Sequence, residues 1–210
     1  MLKTILLGMI MVGCASIAFA QSDDYKKFEF FAGYSHNWIE TGIADDPELG
    51  SIIRESQSFN GFNTSITGNV SRYLGLKFDF SGHFKSRTVP VSTVATVNVD
   101  SQLYNFLGGI QIKDNSSETP FKPFAHALVG AARVRNRLNF ANDVCVLVFP
   151  SPCPEFADTE TGFAGAFGGG FDIRAGNRVD IRVIQVDYNP TRLFDRTQHN
   201  IRVGVGIVFH

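Results

Sequence analysis

The residues with the most evident chemistry lie between Leu74 and Lys85, where Asp79, Ser81 and His83 occupy every second position. An acid, a hydroxyl and an imidazole are the parts of a nucleophilic triad, which works only when all three lie within hydrogen-bond reach. Residues two apart on one face of a strand stand about 6–7 Å from each other, too far for short side chains to pass a proton directly. The chain also has no Gly-x-Ser-x-Gly elbow. Of the other histidines, His36, His126 and His199 match no metal-ligand spacing, and Gly168-Gly169-Gly170 sits inside an alternating stretch instead of heading a helix. The expectation is no catalytic residue, no metal and no cofactor. A covalent feature is expected elsewhere. Lys3, the apolar run Ile5 to Val12 and the small-x-small site Ala18-Phe19-Ala20 make residues 1–20 a cleavable export signal. The mature domain, 21–210, then keeps two cysteines, Cys145 and Cys153, in CVLVFPSPC. In an oxidising compartment such a pair predicts a disulfide closing a loop.

Asp79, Ser81 and His83 are one side of a strand whose other side is Leu74, Leu76, Phe78, Phe80 and Phe84. The same period of two recurs along the chain. It marks strands at about Lys27 to Trp38, Phe59 to Val70, Leu74 to Lys85, Val99 to Lys113, Phe121 to Arg135, Thr161 to Arg174, Arg178 to Tyr188 and Gln198 to His210. The fifth is rich in alanine and its faces are not resolved by pattern. In the seventh, polar residues change parity after Val183, the sign of a β-bulge. Long connections (after Trp38, Arg87 to Asn98, Arg137 to Glu160, Asn189 to Thr197) alternate with tight ones (Ser71 to Tyr73, Asp114 to Pro120, Ala175 to Asn177). Eight alternating strands with sorted connections predict an all-β fold: an eight-stranded antiparallel up-and-down transmembrane β-barrel with both termini at the short-turn side. Beyond residue 20 no run approaches the roughly 20 apolar residues of a spanning helix, so only a closed barrel would cross a membrane. A net charge of −1 gives no electrostatic case for a nucleic-acid partner.

With the apolar faces toward lipid, the inward set is Glu29, Lys77, Asp79, Lys85, Gln111, Lys113, Asp172, Arg174, Asp180, Arg182, Asp187 and Arg202. Both signs are present, and an eight-stranded barrel is just wide enough for side chains to fill. Charges in that space must pair or keep water, so a plugged, ion-paired interior is expected; a narrow polar pathway for small solutes is the alternative. Trp38, Tyr73, Tyr104, Tyr188 and Phe209 stand near strand ends, where interfacial aromatic girdles form. The rival fold, a soluble lipid-binding barrel, calls for an exterior rich in Lys and Glu, whereas these polar faces are mostly Gly, Ser and Asn.

The Phe-Ala-Gly-Tyr opening strand, the glycine-rich sixth strand and the Arg-Val-Gly-Val-Gly-Ile-Val-Phe ending resemble the small outer-membrane barrels of the OmpA transmembrane-domain and opacity-protein type, often labelled porin-like. The resemblance spans the mature chain. It implies residence in a bacterial outer membrane, with periplasmic termini and extracellular long loops. Lipid would surround the wall, and the barrel-assembly machinery would read an aromatic C-terminal signal at Phe209, followed here by His210. It further implies a structural or surface-facing role, with porin-like solute passage or an extracellular ligand on the loops as alternatives, and a lipid-modifying barrel enzyme as a more distant one.

Overall fold

The computed structural model describes residues 25–40, 56–92, 95–116, 119–140, 156–193 and 195–210. The export signal and both Cys145 and Cys153 lie outside the described residues. Eight long strands form the wall: β1 (Phe28–Glu40), β2 (Ser56–Asn69), β3 (Leu74–Ser92), β4 (Ala95–Lys113), β5 (Phe121–Phe140), β6 (Phe156–Arg174), β7 (Val179–Tyr188) and β10 (Asn200–Phe209). Two three-residue strands, β8 (Thr191–Leu193) and β9 (Arg196–Gln198), make a small hairpin between β7 and β10.

The wall is antiparallel throughout and closes where β1 pairs with β10. Its stagger follows from the register. Phe28 pairs with Gly68, and the row continues through Leu76, Ile110, Ala127, Phe167, Tyr188 and Ile201. Ile201 then pairs with Trp38, so the row regains β1 ten residues beyond its start. A stagger of that size over eight strands corresponds to a tilt of about 40°. Phe28 to Trp38 therefore spans roughly 33 Å of strand and roughly 25 Å along the barrel axis, the height of a membrane-facing band.

The alternation sorts chemistry as the sequence predicts. Phe78 is 70% exposed and its neighbour Lys77 1%. Phe30, Ile66, Phe106, Val129, Phe163, Ile181, Val205 and Phe209 also face outward, while the buried set is dominated by polar and charged groups. Trp38, Tyr188 and Ile201 meet at the long-connection end. Tyr104 packs there against Phe84 at 5.8 Å between ring centres. Tyr73 and Phe209 hold the other end. Two paired glycines accommodate the close approach of β1 to β10: a Cβ on Gly33 or Gly206 would strike the opposing backbone and the Phe31 ring.

Two hairpins stay paired beyond the strand bounds read from the sequence, and the parity change in β7 is the bulge expected there. The stretch Arg87 to Asn98 is a continuation of β3 and β4, paired through Val89 and Val97 to Ser92 and Ala95, with 93–94 outside the described residues. Likewise β5 and β6 stay paired out to Leu138 and Phe156. These strands outrun the apolar band because their backbone groups remain paired with each other in the ladder. The parity change in β7 is a bulge: Val183 and Ile184 both face outward, and the register with β6 and β10 shifts there. At the β4–β5 turn Arg72 clamps Asp114 through Nε and Nη2, at 3.0 and 3.1 Å. That guanidinium holds the Asp114 carboxyl well below the usual carboxylate range, against a small opposing effect of burial. Because Arg72 is half exposed, water screens the pair.

Candidate functional site: the lumen

Five cations and five carboxylates are buried among the described residues: Lys77, Lys113, Lys122, Arg182 and Arg202 against Glu29, Asp79, Asp172, Asp180 and Asp187. They form a connected network along the inside of the wall. Nearest the short turns, Lys113 Nζ donates to Glu29 Oε1 and Asp172 Oδ2, both at 2.8 Å, and Gln111 donates to Glu29 at 3.2 Å. Asp172 in turn takes a two-pronged contact from Arg182, Nε at 2.8 Å and Nη2 at 3.1 Å. Arg182 Nη1 donates to Gln185, whose amide donates to Asp187. Arg202 bridges Asp187 and Asp79: Nη2 lies 2.7 Å from Asp187 Oδ2 and Nη1 2.9 Å from Asp79 Oδ1. Asn63 donates to both oxygens of Asp79. On a side branch His126 Nε2 stands 2.9 Å from Asp187 Oδ1, and Lys77 Nζ stands 3.4 Å from His126 Nδ1.

Rings take part as well. The Arg182 guanidinium sits 4.3 Å from the centre of Phe31 and 4.0 Å from that of Phe124, so two inward phenylalanines sandwich it. Such stacking suits the weakly hydrated planar guanidinium. Toward the long-connection end the lining becomes apolar, where Ile39, Phe59, Leu103, Leu107, Leu128, Ala132, Ala164, Ala166 and Leu193 pack together. The lumen thus has compensated charge at one end, and at the other an apolar cluster beside the neutral polar Ser35, Asn37, His83, Asn105, Thr191 and Asn200.

Ten of the twelve residues assigned to the inward polar set are buried in the lumen: Glu29, Lys77, Asp79, Gln111, Lys113, Asp172, Asp180, Arg182, Asp187 and Arg202. Two lie elsewhere. Lys85 is half-buried at the opposite end, its Nζ 5.6 Å from the centre of the Phe59 ring. Arg174 is also half-buried and donates to Asn177 Oδ1 at 2.9 Å in the β6–β7 turn, because it is the last residue of its strand and the wall ends there. Asp79, Ser81 and His83 do not form a relay. Asp79 and Ser81 both accept from Arg202, while His83 Nε2 contacts Ser35 Oγ over the intervening Gly61 of β2 at 2.9 Å.

Pattern reading missed Lys122, His126, Phe31, Phe124 and His210. The first two lie on β5, where Ala125 and Ala127 face out and Ala132 faces in, so hydrophobicity carries no parity. Register with β4 would have found His126, paired with Gln111, and Phe124, paired with Lys113, with Lys122 next on the same face. The two phenylalanines defeat the rule that apolar means lipid-facing. His210 turns inward to Asp180, with Nε2 2.8 Å from Oδ2, and Asp180 also accepts from Lys122. Phe209 is thereby left as the last outward side chain, its ring 6.5 Å from that of Phe30.

An apolar outer band, a compensated polar lumen and a closed eight-stranded wall define a membrane-spanning β-barrel. The chain belongs to the outer membrane protein beta-barrel domain family, whose model matches residues 5–209. That membership places it in a bacterial outer membrane. No curated protein matches the sequence. Among solved structures it is similar in fold to Ail, the attachment invasion locus protein of Yersinia pestis, at 16% identity and a TM-score of 0.54, covering 87% of this chain and 97% of that one. Ail bound to the heparin analogue sucrose octasulfate aligns with a TM-score of 0.56 at 15% identity, with the same coverage of both chains. Neisserial surface protein A is similar at 10% identity and a TM-score of 0.52, over 88% of this chain and 97% of that one.

Proposed function

We propose that the protein is a non-conducting, non-catalytic outer-membrane anchor that displays its long strands at the cell surface. In this reading the termini and short turns lie in the periplasm. The extended β3–β4 and β5–β6 hairpins stand outside, where connecting segments carry contacts with extracellular ligands. The observation that carries the closed lumen is the Arg202 bridge between Asp79 and Asp187, which spans the interior from β3 to β7. The leucine and alanine cluster toward the long-connection end supports it. A conducting path would need either hydrated charge of one sign or a gap between these groups; the buried charges here are balanced and paired, and apolar side chains stand among neutral polar ones toward the other end.

Planar-bilayer recording on the refolded mature chain tests this. The expected trace shows no discrete current steps in the native protein. Opening steps are expected once the bridge and the cluster are removed together in Arg202→Ser/Leu107→Ser/Leu128→Ser. Steady unitary conductance from the unmodified protein would make it a pore and end the anchor assignment.

A further inference from the structure

We infer that the outward groove between Phe78 and Phe80 is a self-association site, and that its occupant is the Phe78 ring of a second copy of this chain. The groove is open-sided, about 500 Å³ in volume, and runs around the wall at mid-height across β2, β3 and β4. Phe80 and Phe106 form its upper edge, toward the long connections, and Phe78 and Ile66 its lower one. Its floor lies at the small outward residues Thr64 and Gly108, and at the backbone of Ser65, Asp79 and Leu107, whose side chains turn into the lumen. The floor is low because β2 and β4 carry a short side chain and a glycine where neighbouring outward positions carry rings. Thr64 donates its hydroxyl to Phe31 O at 2.8 Å, so that group is already satisfied and the groove is apolar in effect.

Height selects the occupant. Two copies inserted in the same sense are related by a two-fold axis along the membrane normal, so a ring on one reaches only what stands at its own height on the other. The ten-residue stagger over eight strands lifts each row by just over one residue per strand, climbing from β1 through β2 to β3. Ile66 pairs with Phe78, and Thr64 is two residues above Ile66 on β2. Thr64 and Phe78 therefore stand level to within about one residue. Phe78 is also the side chain that projects. Among the described residues only Phe28, at the lower end of the wall, is a more exposed large hydrophobic. Ring and groove lie side by side at one height, the condition for a self-complementary contact in which each copy gives its ring and receives the other's.

A lipid chain fits this groove less well, because acyl chains run along the membrane normal and the groove runs around the wall. Burial alone does not favour protein over lipid in a bilayer, whereas close packing over small residues does. Phe30, Phe62, Ile66, Phe78 and Phe106 are between 38% and 70% exposed. Taking roughly 200 Å² for a whole side chain, covering what they expose buries about 500 Å² on each copy. The pair then buries about 1,000 Å², the threshold of a specific interface.

The refolded mature chain, carrying a donor or an acceptor dye at its N-terminus, is diluted with lipid in phosphatidylcholine vesicles. Energy transfer is read against that of randomly placed barrels. The native chain is expected to associate at mole fractions about tenfold lower than Phe78→Ala, which lacks the ring, or Gly108→Leu, which fills the groove. Phe163→Ala, outward on β6, should match the native chain. Mixing the two variants tests the geometry: Gly108→Leu keeps its ring and Phe78→Ala keeps its groove, so the mixture should associate more tightly than either variant alone. Transfer in the native chain no higher than random placement would overturn the site. So would native-like association of both variants, each shown to be folded by the heat-dependent gel shift of a barrel. A mixture no tighter than its components would overturn the ring-in-groove contact.

Discussion

Arg202→Met is expected to lower the unfolding free energy of the barrel by about 3–5 kcal/mol, the range for stranding a buried charge by removing its partner. Arg202 is 1% exposed and reaches Asp187 through two nitrogens, Asp79 through a third contact and Ser81 Oγ at 3.0 Å. Methionine fills much of the same volume, so the loss reports charge and not a cavity. Asp187 keeps Gln185 and the nearby His126, while Asp79 keeps Asn63 and the more distant Lys77. Adding Asp79→Asn and Asp187→Asn to Arg202→Met should restore most of the stability, since replacing a whole buried set costs far less than breaking it. Lys85→Met and Arg174→Met, at the two ends of the wall, should each stay within about 1 kcal/mol. The measurement is urea unfolding in detergent micelles followed by gel shift. An unchanged midpoint for Arg202→Met would mean that the lumen charges are hydrated one by one.

The second large effect concerns the outer surface. Phe78→Arg places a guanidinium near the middle of the wall, between Ile66 and Gly108 in register. A cation at the midplane of a barrel's lipid face costs about 2–4 kcal/mol, falling toward zero at the interfaces. Folding yield into phospholipid vesicles should drop accordingly, whereas Tyr73→Arg, at the short-turn edge, should fold nearly as well as the native chain. A barrel with an aqueous exterior would tolerate Phe78→Arg and gain solubility from it. Equal yields for the two variants would rule out the acyl-chain environment assigned to Phe78.

The wall was legible in the sequence wherever one face was large and apolar and the other small or polar. β3 and β10 are the clearest cases: Phe78 and Phe80 alternate with Lys77 and Asp79, and Val203, Val205 and Ile207 with Arg202, Gly204 and Gly206. Period two fixes the face of a residue but not its height, and here the sequence ran out. Lys113 meets Glu29 and Asp172, 84 and 59 positions away, because the ten-residue stagger brings those points to one level. No pattern within a strand encodes that stagger. Strand length was underestimated for β3, β4, β5 and β6; Val97 and Val99 still alternate with Asn98 and Asp100, but Pro90 and the polar residues around it read as a connection. Phe31 and Phe124 show a further limit: a narrow lumen recruits rings to hold a guanidinium, so hydrophobicity alone misassigns them.

The sidedness of the wall is most directly measured through Trp38, the single tryptophan of the chain. It faces outward at the long-connection end of β1, 43% exposed, its ring 4.4 Å from that of His36. In vesicles of brominated phospholipid, strong quenching of its emission is expected from bromines near the headgroup and weak quenching from bromines near the chain ends. Aqueous iodide should quench it little. Efficient iodide quenching with no response to brominated acyl chains at any depth would contradict a lipid-facing wall, and with it the lumen assigned to the charged residues.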